Sequence, residues 1–159
     1  MKNREQIKKL RDYAELAWAA YGYFHLVGKK FHSESDDTQR EIIKTDILDI
    51  TYKKFKVAKT THIGNEQREE TIGKLDGDFG KEQAKRFFER YELITHQENT
   101  DSGFSATLFG EKRKQKNIES KEISYTSEYG YMNYILSFRG TEFKLEQIKD
   151  LINDYYIWE

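Results

Sequence analysis

A chain of 159 residues is one ordinary domain or part of a larger one, and at this size about two-thirds of the unfolded surface can be buried. Its 27 basic and 28 acidic side chains run along the whole length, so a net charge of −1 creates no field favouring nucleic acid or an anionic membrane. The absence of cysteine excludes disulfides, thiolate metal sites and a cysteine nucleophile; cytoplasm is the default compartment, with non-classical export left open.

The first residues are basic, but Arg11, Asp12 and Glu15 interrupt the apolar run that follows, which fits neither a signal peptide nor a transmembrane segment. Ile7, Leu10, Ala14, Ala17, Tyr21 and Phe24 recur at three- and four-residue steps and predict a helix from about residue 3 to 27, stopped by Gly28. Asp36 and Asp37 are N-cap candidates for a second helix through Ile42, Ile47, Ile50, Tyr52 and Phe55. Together these make a helical lead over residues 1–58. Residues 59–77 are polar and broken by Gly64, Gly73 and Gly77, so a surface excursion is expected there. No proline supplies a built-in stop anywhere in the chain.

From residue 78 to 159 the pattern predicts helix, strand, strand, strand, helix. The first helix begins near Asp78 and runs through Ala84, Phe87, Phe88 and Tyr91. Aromatic and β-branched residues then mark strands at 91–97, 103–110 and 131–138, with the polar stretch between the last two expected as a long hairpin or exposed loop. Leu145, Ile148, Ile152, Tyr155 and Tyr156 form a closing helical stripe. The fold class expected is α/β, with N-terminal helices packed on a small, mostly antiparallel sheet in a single domain.

Chemistry concentrates where the strand YILSF runs into Arg139, Gly140 and Thr141. In open α/β sheets ligands sit at the carboxyl edge of strands, and a glycine there permits a tight turn that leaves the next amide pointing outward as a donor. Such a donor is what an oxyanion in acyl transfer requires. The strand Ile135 to Thr141, the segment Asp150 to Asp154, the upstream GFSATLF (103–109) and YAELAWAAYG (13–22) together resemble the class 3, fungal-lipase-like family of α/β-hydrolases. The likeness spans most of residues 80–158 and, more loosely, the first 60.

That resemblance implies an oxyanion-hole role for Thr141, a turn at Gly140, and structural roles near the site for Arg139, Asp150 and Asp154. It implies a lipid or other carboxylic ester as substrate. The nucleophile motif G-x-S-x-G is absent, and Gly103-Phe104-Ser105-Ala106-Thr107 lacks its second glycine and precedes the oxyanion strand, so Ser105 is read as a plain strand serine. His25, His32, His62 and His96 all precede that strand too, whereas the family's catalytic His comes last. The expectation is therefore the front part of an ester hydrolase, not competent alone, whose Ser, Asp and His lie beyond residue 159. No cofactor and no metal site is expected, because the histidines share no ligand spacing. The alternative is a non-enzymatic protein-binding module on a partial hydrolase scaffold, which self-associates or pairs with a missing C-terminal part through an open sheet edge.

Overall fold

α1 (Lys2–Ala19) opens the chain but stops eight residues short of the predicted boundary at residue 27. A computed structural model describes residues 2–32, 40–98, 100, 101 and 103–139 of the protein. After Ala19 the backbone closes 3₁₀-type bonds from Tyr21 to Trp18 and Gly22 to Ala19, then makes a separate 3₁₀ turn at Phe24–Leu26. This break lets Phe24 and Leu26 enter the core at 4% exposure each, a gain that continued helix would forfeit. Gly22 is required there, since a Cβ would come within 2.9 Å of the Phe24 ring and 3.0 Å of Ile47. The buried side of α1 also differs from expectation: Leu16 and Ala19 face inward, while Ile7 and Leu10 of the predicted stripe are 66% and 68% exposed.

The second helix is likewise shorter than its pattern. α2 (Lys44–Leu48) and a 3₁₀ turn at Ile50–Tyr52 replace a continuous run to Phe55, and Asp36 and Asp37 lie outside the described residues. Arg40 and Asp46 explain part of this. The Asp46 carboxylate is 4% exposed, accepts from the Ile43 amide and takes both Nη atoms of Arg40 at 2.6 and 2.9 Å, which fixes the start of α2 at Lys44.

The expected excursion at 59–77 is instead ordered strand. β1 (Lys30–Phe31), β2 (Lys56–Ile63) and β3 (Glu66–Lys74) make one antiparallel sheet, with Gly64 at φ +63 in the hairpin turn. Nearly every residue of β3 is exposed, so neither face carries the alternation that marks a strand in sequence.

α3 (Lys81–Arg90) buries Ala84, Phe87 and Phe88 and starts at Gly80, whose amide donates to Gln83 Oε1 at 3.3 Å. Asp78, the predicted start, is engaged instead with the Lys53 ammonium. The second sheet follows in the order β4 (Tyr91–Gln97), β5 (Ser105–Lys116) and β6 (Ile123–Arg139), antiparallel throughout. The polar insertion is the outer half of the β5–β6 ribbon, turning at 117–122. Among the described residues the protein thus combines helices with two small antiparallel sheets rather than one. A core of Leu16, Phe24, Ile47, Val57, Leu75, Phe79, Phe87 and Phe109 joins both sheets to α1, α2 and α3, largely through edge-on aromatic contacts such as Phe87 to Phe109 at 5.4 Å and 84°. The closing helix expected after residue 140 lies outside the described residues.

Candidate functional site

β6 brings Arg139 to the rim of a cleft of about 510 Å³, within the range of small-molecule sites. The cleft opens between the two sheets. Gly73 and Leu75 come from the end of β3 and beyond, His25 from the 3₁₀ turn, His96 from β4, and Ser105 from the start of β5 in register with Arg139. Lys54, held at φ +73 by a bond from its amide to the Leu75 carbonyl, contributes a further cation to the wall.

Arg139 does not point freely into this space. Its guanidinium lies 5.2 Å from the ring centroid of Tyr21 and 5.1 Å from that of Tyr23, and Nη1 donates to the Tyr21 carbonyl at 3.2 Å. The end of β6 is therefore fastened to the chain leaving α1. Arg139 is also the residue directly before Gly140 and Thr141. Those two, with Asp150 and Asp154, fall outside the described residues.

Inside the cleft, His96 and His25 stack with ring centroids 6.0 Å apart and planes 11° from parallel. His96 Nδ1 meets Thr107 Oγ1 at 2.8 Å, and the ring takes the edge of Phe24 at 5.5 Å. Burial first, then the neighbouring His25 and Arg139 charges, lower its pKa from 6.5 to about 4, so the imidazole is neutral at pH 7. His25 Nε2 lies 3.9 Å from a Glu98 carboxylate oxygen at the mouth. Ser105 is 2% exposed and its hydroxyl donates to the Gln97 carbonyl at 2.8 Å, so it is spent on tying β5 to β4 rather than paired with a histidine base.

Arg139 thus joins His25, His96 and Ser105, none of which was picked out in sequence as a site residue. His25 and His96 are far apart along the chain and carry no shared spacing, so no local signal pairs them. Among the described residues no three His, Asp or Glu side chains converge as a metal site requires. No described helix is long and apolar enough to cross a membrane. No family model, curated protein or solved structure matches the chain.

Proposed function

We propose that these residues supply the oxyanion side of a serine ester hydrolase acting on lipid esters, similar to class 3 lipases. One observation carries this: the residue that immediately precedes Gly140 and Thr141 ends a sheet strand on the rim of a small-molecule-sized cleft. At that edge the end of β6 lies beside the start of β5, with Arg139 in register with Ser105. In this reading the Thr141 amide and hydroxyl donate to the negative oxygen of the tetrahedral intermediate, and Gly140 leaves room for its approach. Arg139 acts as a positioning residue, since its guanidinium is already committed to Tyr21 and Tyr23. The neutral His96, with Tyr23, Leu26 and Leu75 on the same wall, suits an uncharged ester. The 159 residues hold no G-x-S-x-G, so attack on the carbonyl needs a serine from another segment.

An alkyl phosphonate mimics the tetrahedral anion without needing a nucleophile. Titrating butylphosphonate into ¹⁵N-labelled protein should shift the amides of Arg139, Gly140 and Thr141 together with those of His96 and Ser105, while nitrophenyl butyrate is not turned over above background. Shifts confined to other surfaces would remove the proposal. Among the described residues β6 is the last strand of its sheet, which favours one further reading, a scaffold used for association rather than catalysis.

A further inference from the structure

Tyr91 opens β4 directly after α3 and is 2% exposed, yet its hydroxyl has no hydrogen-bond partner among the described residues. Buried polar groups are nearly always paired, so an orphan hydroxyl marks a place where a partner is missing. Burial raises its pKa, Arg90 opposes the rise, and Asp12, Glu111 and Glu15 add to it. The phenol therefore stays neutral, with those four charges around it.

Two cavities meet at this residue. One of about 510 Å³ lies between α1 and α3, the other of about 490 Å³ between α1 and β6, and Asp12, Arg90 and Tyr91 line both. Neither shares a lining residue with the cleft at Arg139. Charge is graded across them. The Asp12 and Glu111 side chains are each 16% exposed and Glu15 is half-buried, whereas Lys9, Arg11, Arg86 and Glu89 are exposed at the rim. Among the described residues Arg90 is the one lining cation at the inner depth, and it is divided between Asp12 at 3.0 Å and Glu111 at 3.5 Å. Glu15 has only a 3.5 Å contact from the Gln83 amide. Three carboxylates thus share one guanidinium, and the rim charges are screened by solvent.

We infer that these cavities form a binding site for a primary alkylammonium ion, with the Tyr91 hydroxyl as its neutral acceptor. A primary ammonium has three N–H donors, which match the carboxylates of Asp12 and Glu15 and the phenol oxygen. Phe87 and Tyr125 give the first cavity aromatic walls, which attract a cation and cover its alkyl chain. The Arg90 guanidinium lies 5.0 Å from the Tyr91 ring centroid and covers it. The ligand replaces Arg90 at Asp12 and reaches the hydroxyl, while Arg90 keeps Glu111. An anion is the poorer occupant, since it would face the three carboxylates. A metal ion is poorer too, because among the described residues no three such ligands converge.

Titrating n-butylammonium chloride into ¹⁵N-labelled protein at fixed ionic strength tests this. Saturable shifts are expected at the amides of Asp12, Glu15, Arg90 and Tyr91, and sodium butyrate should produce none of them. Tyr91→Phe should raise the dissociation constant about tenfold and leave the urea midpoint unchanged or higher, because the free protein loses no hydrogen bond. A Tyr91 with a purely structural role would do the reverse. Glu15→Gln should weaken binding similarly and decides alone if Tyr91→Phe fails to fold. Shifts that do not saturate, that scatter over other acidic residues, that butyrate reproduces, or that are indifferent to both substitutions overturn the site. The cleft at Arg139 is separate, so such a failure leaves the hydrolase proposal standing.

Discussion

The two sheets share a strand count and an antiparallel arrangement, yet they are stabilised in different ways. β5 buries Ser105 through Gly110 without a break, and Phe109 sits at 0% exposure between Phe24 and Phe87. In the first sheet only Phe31, Val57 and Ala58 reach the core, and β3 lies almost wholly in solvent. The second sheet is held by packed aromatic surface, whereas the first is held mainly by its backbone ladder and by the joints that attach it to α2. Losses should therefore be steep in one sheet and shallow in the other.

The largest effect is expected at the centre of the second sheet. Phe109→Ala should cost about 3–5 kcal/mol in urea unfolding, because the cavity is walled by other rings that cannot collapse into it. A loss under about 1 kcal/mol would mean the core is not organised around that ring. Next comes the joint between the sheets. A Cβ at Gly77 would lie 2.4 Å from the Leu48 carbonyl carbon, so Gly77→Ala must move backbone and should cost about 1–3 kcal/mol.

Acid should act on the second sheet selectively. His96 is depressed to about 4 when folded against an ordinary 6.5, so between those values the unfolded chain binds the extra proton and the folded one does not. Stability is then flat above pH 6.5, falls as pH drops toward 4, and flattens below. Partial solvent access limits the loss to on the order of 1–2 kcal/mol. Denaturation midpoints of His96→Gln should lack that slope, and an unchanged slope would assign it to other groups. The smallest effect belongs to the β2–β3 turn, where Gly64→Ala at φ +63 should cost about 1 kcal/mol without altering the second sheet's exchange protection.

The same contrast explains what could be read in advance. β4, β5 and β6 announced themselves because strands buried against a core must carry aromatic and branched residues, as Leu93, Phe109 and Ile135 do. β2 and β3 did not, since Thr60, His62, Arg68 and Glu70 all sit in strands with little burial to impose a period. α1 misled for the opposite reason: its clearest stripe, Ile7 to Tyr21, lies largely on the solvent side, and the buried side is marked only by Leu16 and small alanines. At the site, the local sequence pointed to the end of β6 because strand, arginine and glycine are neighbours in the chain. The His25–His96 stack depends on tertiary contact between the 3₁₀ turn and β4, which no spacing encodes.

The most direct test compares the affinity of butylphosphonate for the wild-type chain and for Thr141→Val. A hydroxyl that donates to the tetrahedral anion contributes a charge-assisted hydrogen bond, so its loss should raise the dissociation constant about tenfold or more. Equal affinity for the two proteins would mean that Thr141 does not face the anion, and the oxyanion role assigned to the end of β6 would be withdrawn.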